Sequence, residues 1–211
     1  MSRILFTLLL LFMGCADTPR GDQNAPIGAE DEHGHAEHGP TPAPTEPALG
    51  PLSLYQLDSP WTDDTGSERS LESLSGIPVL AAMTYTSCQV SCPVIVADLK
   101  RIETELNQAG VEARIVLFSL DPDRDTPQVL ASFKEEKGLS SRWVLLRAPD
   151  DQVREMAALL GVNYRRTPDG EVAHANIISI LDPGGQLIHQ QLGLGAGKAV
   201  ETASVLIDGA H

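Results

Sequence analysis

The chain predicts an α/β domain, and three features carry that expectation. Residues 78–85 form a largely apolar run, a helical apolar stripe follows Pro93, and a second apolar run ends near residue 120. Strand, helix, strand in that order argues for a crossover unit with helices packed on a sheet. A short continuous apolar run suits a strand buried on both faces.

The folded part is expected to begin near Leu52, Ser53, Leu54 and Tyr55, and Asp63-Asp64-Thr65-Gly66-Ser67 reads as a turn leading into residues 70–74. Residues 78–85, with Val79, Leu80, Met83 and Tyr85, predict the first central strand. Pro93 suits the first turn of the next helix. Ile95, Leu99, Ile102 and Leu106 recur at helical spacing along it, and Gly110 marks its end. Residues 111–120 predict a second central strand, with Glu112 and Arg114 confined to its first half. Asp121-Pro122-Asp123-Arg124-Asp125-Thr126-Pro127 breaks that strand, and Val129, Leu130 and Phe133 give the next helical stripe. Residues 143–146 predict a short strand, and Val153, Met156, Leu159 and Leu160 a helix closed by Gly161. Residues 175–181 and 186–190 flank Asp182-Pro183-Gly184-Gly185, a hairpin signal, and residues 198–207 predict a last helix. Met83 and Met156 fall in apolar patterns and are expected in the core rather than as sulfur ligands.

Ahead of this domain the chain divides in two. In residues 1–14, Arg3 precedes an apolar run and then Gly14-Cys15, a pattern that reads as a lipoprotein signal with Cys15 as the lipidated residue. Met13 is bulkier than the small residue usual there. Residues 15–50 are rich in Pro, Gly, Ala, Asp and Glu and carry too few large apolar side chains to offset the entropy of ordering, so they read as a tether. His33, His35 and His38 lie within it beside Glu32 and Glu37, a tract able to collect a transition metal weakly as an auxiliary site. Residues 51–211 form the expected domain. The chain carries 15 basic and 29 acidic residues, a net charge of −14. That balance repels nucleic acid and anionic lipid surfaces.

Cys88 and Cys92 stand at the junction of the first strand and the first helix, in Thr84-Tyr85-Thr86-Ser87-Cys88-Gln89-Val90-Ser91-Cys92-Pro93. The spacing lets two sulfurs converge on one soft ion or on each other, and the residues alone leave both chemistries open. A cysteine beside a helix N-terminus has its thiolate favoured by unsatisfied backbone donors and the helix's positive end, and Cys92 is placed to benefit.

Three blocks taken together, the cysteine run above, Asp121-Pro122-Asp123-Arg124-Asp125-Thr126-Pro127, and His174 followed by Ile180-Leu181-Asp182-Pro183-Gly184-Gly185, resemble the SCO/SenC family of copper chaperones. The resemblance implies a thioredoxin-like fold, with a central mixed sheet flanked by helices and an added N-terminal hairpin and inserted segment. It implies a membrane-tethered metallochaperone of the bacterial cell envelope, facing the periplasm. Its role would be to deliver copper to the dinuclear copper centre of cytochrome c oxidase or to maintain that centre's thiols. The partners implied are the copper-bearing oxidase subunit or another acceptor, and a periplasmic copper donor or thiol reductant. By the same resemblance Cys88, Cys92 and His174 map onto the metal ligands. Gln89 departs from the proline common there, and Glu171-Val172-Ala173 from the usual aromatic and acidic neighbours of the histidine. Two thiolates and an imidazole suit Cu(I), whereas Cu(II) asks for further oxygen or nitrogen donors.

Asp121, Asp123 and Asp125 lack the glycine and distal glutamate of a calcium loop, so they are expected to shape the strand-end turn, with Arg124 pairing a carboxylate. The competing function is a thiol-disulfide oxidoreductase or redox sensor using Cys88 and Cys92 as its redox pair. Against it stand the three-residue spacer and a histidine such an enzyme does not need. An inert disulfide in a scaffolding lipoprotein is the remaining alternative.

Overall fold

The structure is a computed structural model and describes residues 53–88, 92–168, 171–193 and 195–210. The signal, the tether, Cys15 and the His33, His35 and His38 tract lie outside the described residues. Among the described residues no helix is long and apolar enough to cross a membrane.

The strands are β1 (Trp61–Asp63), β2 (Glu68–Arg69), β3 (Val79–Thr84), β4 (Arg114–Ser119), β5 (Trp143–Arg147), β6 (Tyr164–Arg166), β7 (Val172–His174), β8 (Ile177–Leu181) and β9 (Leu187–Leu192). The helices are α1 (Cys92–Ala109), α2 (Pro127–Glu136), α3 (Asp150–Leu159) and α4 (Ala196–Gly209). Seven strands form one mixed sheet in the order β2-β1-β5-β4-β3-β8-β9, with β3, β4 and β5 parallel and their outer neighbours antiparallel. β6 and β7 pair only with each other, as a separate two-stranded ribbon.

The apolar runs are continuous because both sheet faces are covered. Along β3, Val79, Ala81 and Met83 join the core on one face, while Leu80 and Ala82 join the core on the other. The first core also holds Val153 and Met156 of α3, together with Trp61 and Phe118, whose rings meet edge to face at 4.9 Å. The second packs Ile95, Leu99, Ile102 and Leu106 of α1 with Leu130 of α2 and Ala199, Ala203 and Leu206 of α4. Met83 and Met156 are both buried in the first core.

Local chemistry sets the boundaries. The hydroxyl of Thr126 accepts from the Val129 amide and Pro127 opens α2, so the Asp121–Pro127 block ends β4 and starts a helix. Gly110, at φ +71°, closes α1 with a Val111 amide to Leu106 carbonyl bond. The second central strand is shorter than residues 111–120, running Arg114–Ser119, because its pairing with β3 begins at Arg114 opposite Val79. The N-terminal hairpin, β1 and β2, is held at its turn by Asp63, whose carboxylate accepts from the Thr65 and Ser67 amides and from Arg69 Nε. Buried Asp98 of α1 bonds Arg101 and the Gly195 amide, tying that helix to the start of α4.

Candidate metal centre

The sheet brings the C-terminal end of β3 and the N-terminus of α1 together, and Cys88 and Cys92 sit at this junction. Both side chains are buried, Cys88 at 9% exposure and Cys92 at 1%, and no disulfide joins them. Cys92 opens the helix rather than preceding it. Its amide donates to the Cys88 sulfur at 3.4 Å. The helix-end donor expected to favour the Cys92 thiolate is therefore directed at Cys88, because only a side chain ahead of the first turn can turn back over that amide.

His174 ends β7 and its Nε2 stands 3.8 Å from Cys92 Sγ. Its Nδ1 lies 3.1 Å from the Ala175 carbonyl oxygen. A carbonyl can only accept, so Nδ1 carries the proton and the Nε2 lone pair faces the sulfur, the tautomer arrangement usual for a ligating histidine. Burial lowers the imidazole pKa, against a smaller opposing effect of the Ala175 bond. The ring thus stays neutral, and available as a donor, to lower pH than a solvent-exposed histidine.

The spacing passes a simple test of fit. Sulfur and imidazole donors bind metals such as zinc at about 2.3 Å and about 2.0 Å, so two donors sharing one ion at a trigonal angle lie about 3.7 Å apart, close to the observed 3.8 Å. Among the described residues no three histidine, cysteine or carboxylate side chains already close into a complete metal shell. What stands in place is the Cys92–His174 pair, with the Cys88 sulfur directed at the Cys92 amide.

The surroundings hold the two limbs of the site. The Tyr85 hydroxyl donates to Glu171 at 2.8 Å and accepts from the Val172 amide at 3.3 Å, while its ring meets His174 edge to face at 6.0 Å. Burial, then the Glu171 bond, pushes the Tyr85 pKa far up, so the phenol remains a proton donor. Asp125, at 1% exposure, accepts from the Thr86 amide and hydroxyl and from the Ser119 hydroxyl at 2.6 Å. It ties the loop before Cys88 to the end of β4.

Arg124 pairs with buried Asp121, which also receives Arg166 from β6 at 2.9 Å. Asp123 is exposed and carries no ion pair among the described residues, so the interior support of the loop comes from Asp121 and Asp125.

Tyr85, Glu171, Asp125 and Arg166 were not legible as site residues. Thr167-Pro168-Asp169-Gly170, a turn signature between two short runs, was the available signal for the ribbon. Its strands are three residues each, too short for periodicity to reveal.

A thioredoxin-like α/β domain, with a cysteine pair where a central strand meets a helix and a histidine brought over it from a side ribbon, defines the class. The SCO1/SenC family profile matches residues 55–199, and the chain belongs to that family. A SCO1 protein homolog of Bacillus subtilis is 29% identical over 148 residues, spanning 68% of this chain and 77% of the relative. Copper-bound ScoI of Arabidopsis thaliana superposes with a TM-score of 0.65 at 20% identity, over 71% of this chain and 96% of that one. A SCO1/SenC family lipoprotein of Bacillus anthracis gives a TM-score of 0.63 at 21% identity, over 70% and 91%.

Proposed function

We propose that this protein is a copper chaperone that holds Cu(I) through Cys88, Cys92 and His174 and passes it to the dinuclear copper centre of cytochrome c oxidase. The observation that carries the reading is the 3.8 Å approach of His174 Nε2 to Cys92 Sγ, with Nδ1 tied off on a backbone carbonyl. Family membership supports the choice of ion, since solved relatives from Arabidopsis thaliana and yeast are described with copper bound. A relative is likewise described as a member of the Sco family of cytochrome c oxidase assembly proteins.

Thiol deprotonation accompanies binding, so affinity rises with pH. Burial of both sulfurs excludes competing water, and two soft donors with one imidazole favour the monovalent ion. Delivery by ligand exchange requires an acceptor with thiolates of its own. Cys15 anchors the domain to the membrane through lipid on the periplasmic side, and the tether of about 35 residues lets the copper face reach a membrane-bound acceptor.

The test is anaerobic Cu(I) titration of the reduced protein with copper X-ray absorption, followed by transfer to an isolated dinuclear-copper domain. One ion per chain with sulfur and nitrogen scattering is expected. Unchanged scattering and affinity in His174→Ala refute the ligand set. Intact-mass analysis and membrane fractionation of wild type and Cys15→Ser test the anchor, which fails if the wild type carries no lipid adduct.

A second reading, thiol-disulfide exchange at the same pair, is favoured by the 3.4 Å approach of the Cys88 sulfur to the Cys92 amide, which stabilises negative charge on that sulfur. Failure of copper binding with retained reductase activity on an oxidised acceptor domain selects it.

A further inference from the structure

The ribbon of β6 and β7 is outside the main sheet, so no ladder bond to β3 holds His174 directly, and the main sheet resumes only at β8, three residues further on. On the β7 side the ribbon is held by Val172, packed into the first core, and by one hydroxyl. Tyr85, the residue directly after β3, donates to Glu171 Oε2 and accepts from the amide of Val172, the first residue of β7. Val172 is 3% exposed, so that amide has no water to turn to when the phenol oxygen is removed. On the β6 side Arg166 bonds Asp121, just past the end of β4, and Asp150 at the start of α3, while Tyr164 packs against the first core.

We infer that Tyr85 and Glu171 are positioning residues for His174. Their hydrogen bond fastens β7 to the end of β3, three residues ahead of Cys88, and so sets the distance between the imidazole and the Cys92 sulfur. The copper arm of this inference rests on the proposed function, whereas the geometry does not. Tyr85 carries both jobs because a phenol donates and accepts at one atom. Glu171 holds the donated bond in a single direction, and its carboxylate makes that bond stronger than a neutral acceptor would.

Three variants of the reduced, metal-free protein separate these roles. Tyr85→Phe keeps the ring against His174 and deletes the hydroxyl, which also meets the Cys88 side chain, so Glu171→Ala is the variant that isolates the ribbon. Glu171→Ala deletes the acceptor at an exposed position, where folding of the core is not at stake. Glu171→Gln keeps an accepting oxygen. Tyr85→Phe is expected to speed amide exchange at Val172 by roughly tenfold or more. Both Tyr85→Phe and Glu171→Ala are expected to shift the His174 ring proton resonances, and Glu171→Gln to return them to wild-type positions. Exchange at β3 and β4 amides stays unchanged. With Cu(I) alone as the probe, the first two variants weaken affinity by roughly tenfold and Glu171→Gln restores it. Wild-type exchange and ring resonances in both Tyr85→Phe and Glu171→Ala overturn the inference, as does loss of protection spread across β3 and β4. A wild type that binds no copper while its ring resonances still respond to Glu171→Ala refutes the copper reading and supports the positioning role.

Discussion

Removing the Asp125 carboxylate tests the bond network behind the cysteine loop most directly. Asp125 accepts from the Thr86 amide at 3.2 Å, the Thr86 hydroxyl at 2.5 Å and the Ser119 hydroxyl at 2.6 Å. In Asp125→Ala the Thr86 hydroxyl, on a half-buried residue, turns to water, but the Thr86 amide and the buried Ser119 hydroxyl lose their acceptor. A buried donor left unsatisfied costs about 1–3 kcal/mol, so the two together amount to about 2–4 kcal/mol once relief of the buried charge is counted. For a domain of this size that is a fall of about 5–15 °C in Tm. Burial, opposed by the Ser119 and Thr86 bonds, raises the Asp125 pKa in the folded state. The folded protein then binds this proton more tightly than the unfolded chain, so the group's contribution to stability declines as pH rises from the ordinary carboxylate value through the folded one. Urea unfolding of the reduced wild type and of Asp125→Ala between pH 4 and 7 measures both effects. The difference in stability between them should shrink as pH rises through that window. Stability within about 0.5 kcal/mol of wild type throughout, or a difference that grows with pH, refutes the reasoning.

Other outcomes follow from the same structure. His174→Ala should weaken Cu(I) binding by about 10–100-fold, read by competition with a chromophoric chelator, while leaving Tm nearly unchanged. Oxidation of Cys88 and Cys92 to a disulfide removes two electrons and two protons and with them both thiolates, so the oxidised protein should not bind Cu(I) tightly until reduced; equal stoichiometry in the two states would refute the gate. Burial acts to raise the Asp63 pKa, but bonds from Thr65, Arg69 and Ser67 outweigh it and hold it at about 2. The full shift is worth about 2.4 kcal/mol, and solvent screening at the exposed Arg69 leaves about 1–2 kcal/mol. That stability is present above about pH 3.9 and is lost as pH falls toward 2. Asp63→Asn should remove the acid sensitivity in denaturation curves across this range. Gly185→Ala should cost about 2–4 kcal/mol in chemical unfolding, because φ is +83° and the new Cβ would stand 2.5 Å from the Tyr55 ring.

The α/β class, the α-helices of the described residues and the central strands followed from the sequence because each helix repeats a side-chain period and each central strand is a continuous apolar run bounded by turn residues. α1 shows this most clearly, with Ile95, Leu99, Ile102 and Leu106 on one buried stripe. The cysteine pair was legible for the same local reason, since both sulfurs belong to one strand-to-helix junction. A resemblance in motif order linked His174 to them, but no local rule does, and its position on a three-residue strand of a separate ribbon is a tertiary fact. Strand order was equally out of reach of periodicity. A period of two says which residues share a face, while the neighbour of a strand is settled by how the whole chain closes its cores, and here that closure sets β3 between β4 and β8. The direction of the Cys88 sulfur toward the Cys92 amide, the His174 tautomer and the Tyr85–Glu171 bond were decided last, by distances of a few ångströms between groups up to 87 residues apart. Sequence determined which chemistry the chain carries, and only packing could determine which donor meets which acceptor, because hydrogen bonds and ligand geometry depend on position in space and not on separation along the chain.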